Sequence, residues 1–408
     1  MALVSRVHRF SFMGQINFKP AVLRPPIRVG ILGAGGISTA HAQTLKGLAD
    51  VELVAVADAD PLKARRLAER FAIKEVYSSL AEMLGQSLPD VVHILLPPEM
   101  HARFAIECMV GGAHVLVEKP LCVSLAECRE LESTSAQFHR TVGVNHNVTF
   151  DPAFLSVVDA IRDRRLGAIQ HVSVGWNIPF GGNTFTAPLH RLKGPGAVVL
   201  ETGVHPLSMI VRLLGEVKSA SVLTSSTGDA HRGNRNANQD TWQMSLVCER
   251  GTAQCFIGLD RGFTDTRISV IGEDGSALAD LRLGCGAVVE NTRRSALFFK
   301  FGDAMEMAWS FANSASRGFL DRLRRIPAGC ATDDNAPLMR ASIGNFYQAL
   351  LTGTEPTASM AEGLAVVRSC LRVIEAAETA EIATAKSGTK TFEPLEVESW
   401  QTPATASS

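Results

Sequence analysis

At 408 residues the chain exceeds one average domain, and two domains are the natural expectation. Hydrophobic residues make up 46% and charged residues 20%, which excludes a wholly disordered, collagenous or coiled-coil chain. Lys and Arg number 40 against 41 Asp and Glu, a net charge of −1, so there is no bulk electrostatic case for nucleic acid or anionic membrane as a partner.

The longest apolar runs are too short for a membrane span. The eight cysteines include no C-x-x-C pair, so neither a disulfide scaffold nor a zinc knuckle is expected, and a reducing cytoplasm fits best. The first acidic residue is Asp50, whereas Arg6, Arg9, Lys19, Arg24 and Arg28 all precede it. Residues 1–26 lack the apolar core of a secretory signal and read as an arm. Docking on another subunit and targeting are the alternatives for this segment.

In chain order, Ile27–Gly33 reads as a buried parallel strand, followed by a Gly-rich turn and a helix to Leu48. Val51–Ala57 is a second strand ending at Asp58, and a helix follows from about Pro61 to Phe71. Asp90–Leu96 is a strand stopped by Pro97-Pro98, and the helix Ala102–Val110 ends at Gly111-Gly112. His114–Glu118, a helix from Ser124 to Phe138 and a strand Thr141–Asn145 complete the alternation. This pattern predicts a doubly wound parallel sheet, a dinucleotide-binding domain over residues 27–147.

Beyond a helix at Phe154–Arg164 the rhythm changes. Strand-like runs follow one another at Ile169–Trp176, Ser219–Leu223, Thr241–Cys248, Ala253–Leu259 and Thr266–Ile271, with a turn at Gly272–Gly275. A mainly antiparallel sheet is expected, in an α/β domain for substrate binding and oligomerisation over 148–387. Ser225–Gln239 reads as a surface loop. Ala296–Pro337, with Phe298, Phe299, Phe301, Trp309, Phe311, Phe319 and the cluster Arg322, Arg324, Arg325, is a possible insertion: a helical lid, an oligomer contact or an interfacial segment. Helices at Met339–Leu351 and Ala361–Ala383 close the fold, and 388–408 reads as a tail.

Three motifs carry chemistry. Gly33-x-Gly35-x-x-Ser38 opens a helix directly after a strand, where Gly33 permits a tight turn and Gly35 a close backbone approach to a pyrophosphate. Gly36 and Ile37 complete the loop. Asp58 ends the next strand, twenty residues after Ser38, where a carboxylate accepts ribose hydroxyls and repels a 2′-phosphate. NAD is therefore expected over NADP; a helix-capping role is the alternative for Asp58.

Glu118-Lys119-Pro120 stands at the C-terminal end of a strand, the edge at which open parallel sheets bind ligands. A partly desolvated Lys there has a lowered pKa, useful for acid–base work; a surface Lys before a turn is the plain alternative. Glu201-x-x-x-His205 places both side chains on one side of a helix, a spacing for a carboxylate orienting an imidazole. A structural pair is the alternative. No third ligand has a convincing spacing nearby, so no metal is expected. Gly194-Pro-Gly196 before it reads as a turn at the pocket edge.

These residues resemble the glucose-fructose oxidoreductase and inositol dehydrogenase family. The matching pieces are Gly33–Ser38, Pro97-Pro98-x-x-His101, Gly112–Pro120, Asn145–Phe154 and Gly194–Gly215, densest in the first half of the span from Ile27 to Ala383. The resemblance implies a Rossmann domain, an open-sheet domain, and Lys119 and His205 beside a nicotinamide. Two departures stand out: Glu201 occupies a position usually held by Asp, and Ser208 one often acidic.

The expected reaction is hydride transfer between NAD and a secondary hydroxyl of a sugar, polyol or derivative. His205 takes the hydroxyl proton, Glu201 orients it and Lys119 relays it. Glu118, Pro97, Pro98 and His101 shape the nicotinamide end, and Asn145, His146 and Trp176 line the substrate pocket. Two rivals stay open: redox-neutral chemistry with retained NAD, on a glycoside or nucleotide sugar, and a non-enzymatic NAD-binding protein. A homodimer or homotetramer is expected, because an open antiparallel sheet needs its bare face covered.

Overall fold

The structure, a computed structural model, describes residues 22–178, 196–225, 241–259, 263–291, 299–325 and 335–387. Most of the basic arm, the Ser225–Gln239 loop after Ser225, Gly194-Pro195 and the tail lie outside the described residues.

The first half builds a six-stranded sheet from β1 (Ile27–Leu32), β2 (Val51–Ala57), β3 (Glu75–Tyr77), β4 (Val91–Ile94), β5 (His114–Val117) and β6 (Val142–Val144). The strand order is β3-β2-β1-β4-β5-β6, every pairing parallel. The winding order of the strands therefore switches between the neighbours β1 and β4, and the crevice at their carboxyl ends is where such sheets receive ligands. The connecting helices are α1 (Ser38–Lys46), α2 (Pro61–Phe71), α3 (Leu80–Gln86), α4 (Pro98–Val110) and α5 (Leu125–Phe138). β1, β4 and β5 are almost wholly buried, which is why they read as continuous apolar runs. β3 and α3 are not foreseen from the sequence: three residues with mixed burial and a seven-residue helix leave too little periodicity.

After a 3₁₀ turn (Asn147–Phe150) and α6 (Pro152–Arg162), a seven-stranded sheet follows: β7 (Ile169–Ile178), β8 (Val217–Ser225), β9 (Thr241–Cys248), β10 (Gly251–Leu259), β11 (Asp265–Gly272), β12 (Gly275–Asp280) and β13 (Cys285–Glu290). Its order is β13-β12-β11-β7-β10-β9-β8. All neighbours are antiparallel except β7 and β10, so the sheet is mixed and mainly antiparallel. One face packs Val172, Val174, Trp176, Trp242, Ile257 and Ile268 against α6, α7 (Val204–Leu214) and α10 (Met360–Ser387). The other carries Gln243, Ser245, Val247, Thr252 and Gln254, all exposed.

The aromatic-basic stretch contains one long helix, α8 (Phe299–Arg325), beside β13. Ser314 Oγ accepts from the Gly286 amide at 3.3 Å, engaging a backbone donor of this edge strand. Trp309 on α8 is 73% exposed, so this helix does not close on itself as a small core. The last elements do not both stay with the second sheet. α9 (Asn335–Thr352) packs Met339, Ile343, Phe346, Tyr347 and Leu350 into the core shared by β1, β2 and α1. No described helix is long and apolar enough to cross a membrane.

Candidate active site

The glycine-rich loop leaves β1 at Gly33, whose φ of +100° is a conformation side chains rarely adopt. A Cβ there would also lie 2.5 Å from the Leu95 carbonyl oxygen. At Gly35 and Gly36 a Cβ would meet no atom within 4 Å, so the loop faces open space. α1 begins at Ser38 with no side-chain cap, whereas α2, α3, α5 and α6 are capped by Asp60, Ser79, Ser124 and Asp151. A helix start without a side-chain cap, with its positive dipole end, suits a pyrophosphate. Ile37, 41% exposed, stands at the mouth. Asp58 accepts from the Ala34 amide at 2.6 Å and from Asp60 at 2.8 Å. It braces the loop while remaining at the strand end where a ribose would lie. The residues present thus fit a dinucleotide.

The far side of the crevice is formed by the ends of β4 and β5. Pro97 and Pro98 start α4, and its buried His101 places Nδ1 2.6 Å from the Pro120 carbonyl and Nε2 2.8 Å from the Leu96 carbonyl. The ring thereby ties the two strand ends together. Burial holds His101 below the usual histidine range against these two carbonyls.

Glu118 and Lys119 follow β5, with a cis peptide between Lys119 and Pro120. Lys119 Nζ donates to the backbone carbonyl of Glu201 at 2.7 Å. Burial lowers its pKa, opposed by the charges of Glu118 and Glu201. Burial alone would raise the Glu118 carboxyl, yet hydrogen bonds from His41 at 2.9 Å and Asn145 at 2.5 Å, with the Lys119 charge, hold it at about 2.

Glu201 and His205 correct one expectation. The helix foreseen through both is interrupted: Val199–Gly203 is a π-helical turn, and α7 begins only at Val204. A wider turn shifts side chains out of the four-residue alignment, and such turns concentrate at functional sites. Glu201 meets Lys119 through its main chain. The His205 ring stacks on Trp176, centroids 5.6 Å apart and 20° from parallel. Burial and the neighbouring Lys119 and His146 keep His205 well below the usual histidine range, against the pull of Glu118. Ser208, one turn on, donates to the His205 carbonyl at 2.7 Å.

Asn145, His146 and Trp176 come to the same place. His146 Nδ1 lies 3.8 Å from Glu362, itself held by Arg212 through two hydrogen bonds at 2.8 and 2.6 Å. Among the described residues, both His146 ring nitrogens, Trp176 Nε1 and Asn145 Oδ1 are buried without a hydrogen-bond partner. Buried polar atoms are normally satisfied, and these four stand out beside one lysine and one histidine.

Sequence reading missed His41, His93 and Tyr347, which line up behind Glu118. His41 stands three residues after Ser38 and so turns to the same side of α1, which was a usable signal. Tyr347 has no such signal, being 254 residues from His93.

A profile described as an oxidoreductase family with an NAD-binding Rossmann fold matches residues 27–146, and the GFO/IDH/MocA C-terminal domain matches 154–278. Inositol 2-dehydrogenase of Rhizobium meliloti is 28% identical over 62% of this chain and 76% of its own length. D-glucoside 3-dehydrogenase of Escherichia coli is 27% identical over 48% and 56%. The fold is also that of the WlbA dehydrogenase from Bordetella pertussis, solved with NADH and UDP-GlcNAcA (TM-score 0.68, 19% identity, 88% of this chain and 98% of that one). Crevice, motifs and both matched halves agree, and the chain belongs to the GFO/IDH/MocA family of NAD-binding oxidoreductases.

Proposed function

We propose that the protein oxidises a secondary hydroxyl of a sugar, polyol or sugar derivative, and reduces the corresponding ketone, with NAD. The observation that carries this reading is the meeting of Lys119 and His205 among orphaned polar atoms at the carboxyl edge of the Rossmann sheet. Bound in the crevice, NAD supplies the hydride acceptor. Gly33, Gly35, Gly36, Ile37 and Ser38 hold its pyrophosphate, Asp58 its ribose, and Pro97, Pro98, His101 and Glu118 shape its nicotinamide end.

His205 is neutral, because burial and the Lys119 charge oppose its protonation. Its free ring nitrogen takes the hydroxyl proton. That proton cannot rest beside an ammonium group, so oxidation needs Lys119 neutral and ready to receive it. Lys119 keeps its place through the Glu201 carbonyl, which takes one N–H of the neutral amine and leaves the other N–H for the substrate oxygen and the lone pair for the proton. Glu201 thus positions the lysine, and Trp176 orients the imidazole by stacking. Asn145, His146 and Trp176 Nε1 receive neighbouring hydroxyls, with donors and acceptors mixed as a polyol requires.

Residues 148–387 supply the Trp176 and His205 side of this wall and also the oligomer contact. The exposed outer face of the second sheet, flanked by α8 with Met305 and Trp309 outward, fits a homodimer or homotetramer. All seven described cysteines are buried thiols, in keeping with a reducing cytoplasm.

The test is a panel of polyols, aldoses, sugar acids and nucleotide sugars with NAD, followed by NADH absorbance. Net NADH from at least one secondary alcohol supports the reading. Tight nucleotide retention with product but no net NADH replaces it with a redox-neutral reaction, and no chemistry at all overturns it.

A further inference from the structure

Behind the nicotinamide end runs a line of buried hydrogen bonds that no step above uses. His41 on α1 faces Glu118 through Nε2 at 2.9 Å and His93 on β4 through Nδ1, with an Nδ1–Nδ1 separation of 2.8 Å. His93 Nε2 lies 2.8 Å from the hydroxyl of Tyr347 on α9. His41 and His93 are fully buried and Tyr347 is 3% exposed.

Donor and acceptor accounting gives this line one direction once Tyr347 is taken as its first donor. Burial, with the neighbouring His41, keeps His93 well below the usual histidine range and so neutral, and burial keeps the Tyr347 phenol protonated. A neutral imidazole has one N–H and one lone pair. If Tyr347 donates to His93 Nε2, His93 must donate through Nδ1, so His41 accepts at Nδ1 and donates through Nε2. That last hydrogen points at Glu118. Every donor faces the carboxylate, and aligned hydrogen bonds in a low-dielectric interior polarise one another.

We propose that His41, His93 and Tyr347 are positioning residues that hold Glu118 as a fixed anion and thereby set the proton affinity of Lys119. This rests on the reading of Lys119 as the proton relay. Glu118 is surrounded by His41, Asn145, Lys119, His101 and His205, with His93 and Tyr347 one and two bonds behind. Among the described residues, Glu118 and Glu201 are the groups that oppose the burial of the ammonium group. Without the His41 hydrogen bond, burial raises the proton affinity of Glu118, and its charge is held less firmly opposite Lys119.

The test is an NMR titration of Lys119 in the full-length protein carrying lysine labelled with carbon-13 at Cε, the signal assigned by its loss in Lys119→Arg. His41→Phe is expected to lower the Lys119 midpoint by about one pH unit, the lower end of the effect of an adjacent opposite charge. His41→Gln, whose amide can donate to Glu118 and accept from His93, restores most of it. Tyr347→Phe, which keeps the ring and its packing, shifts the midpoint in the same direction by less. An unchanged or raised midpoint in His41→Phe overturns the proposal, as does a His41→Gln protein no better than His41→Phe. Should His41→Phe fail to fold, Tyr347→Phe decides: an unmoved midpoint there is equally fatal. The titration needs no substrate. If Lys119 responds as expected while no alcohol is oxidised, the line of hydrogen bonds stands and the dehydrogenase reading falls.

Discussion

Lys119 Nζ and the carbonyl oxygen of Glu201 stand 2.7 Å apart, so the end of a Rossmann strand is fastened to a π-helical turn 82 residues later. The bond joins the cofactor side of the crevice to the substrate side through the main chain of Glu201. Its geometry depends on the shape of the turn more than on the Glu201 side chain. Glu201→Gln should therefore change turnover far less than Lys119→Ala does, in steady-state assays on the same alcohol.

Removing the amine itself is severe. Loss of a general acid–base group costs about 10²–10⁴-fold in rate. Lys119→Ala should fall by that amount in kcat while the NAD dissociation constant, read by fluorescence, moves little. Because His205 and Lys119 serve one proton, the double variant should lose less than the product of the single losses. A Lys119→Ala protein of full turnover would remove the assignment.

The direction of pH dependence follows from the same pair. Alcohol oxidation needs Lys119 neutral, and ketone reduction needs it charged. The oxidation rate should rise with pH through a midpoint below the ordinary lysine value of 10.5, and the reduction rate should fall through the same midpoint. Parallel profiles for the two directions would contradict the scheme.

Asp58 accepts from the Ala34 and Asp60 amides, and in the proposed reading it also holds the ribose. Asp58→Ala should weaken NAD by about 1–3 kcal/mol, the range of a lost charged hydrogen bond. It should also narrow the preference over NADP, since the repelling carboxylate is gone. Titration of both nucleotides decides it; an NADP affinity already higher in the unaltered protein would refute the role.

Buried histidines make the fold acid-sensitive. Burial and the Arg140 charge push His114 down to about 4, and its Nδ1 accepts from the Thr141 amide. An unfolded histidine takes up its proton near 6.5, so between these values the unfolded chain binds more protons than the native one. The stability is present above 6.5 and lost as pH falls towards 4, on the order of 3 kcal/mol for this residue. His93 and His205 act in the same direction. Calorimetric Tm should drop steeply below pH 6.5, and His114→Gln should flatten that slope.

Much of the site was legible because its parts sit at edges that a pattern marks. The glycine loop, Asp58 and Glu118-Lys119 each stand where an apolar strand stops, and the parallel alternation says that these stops share one side. Glu201–His205 was legible as a pair but not as geometry, since a π turn keeps the composition of a helix while changing its pitch. The Trp176 stack and the Tyr347 hydroxyl depend on residues brought together only by tertiary packing, which local periodicity does not encode. The place of α9 was hidden for the same reason: its apolar face states that it is buried, not against which sheet.

That placement has a consequence for biosynthesis. The apolar surface that α9 covers, on β1, β2 and α1, leaves the ribosome before the second sheet, and its cover leaves after that sheet. Throughout the synthesis of everything between Val144 and Asn335 the nascent cofactor half carries an open hydrophobic flank. Its completion therefore comes after translation of the second sheet, and a separately expressed 27–147 fragment should expose that flank and aggregate.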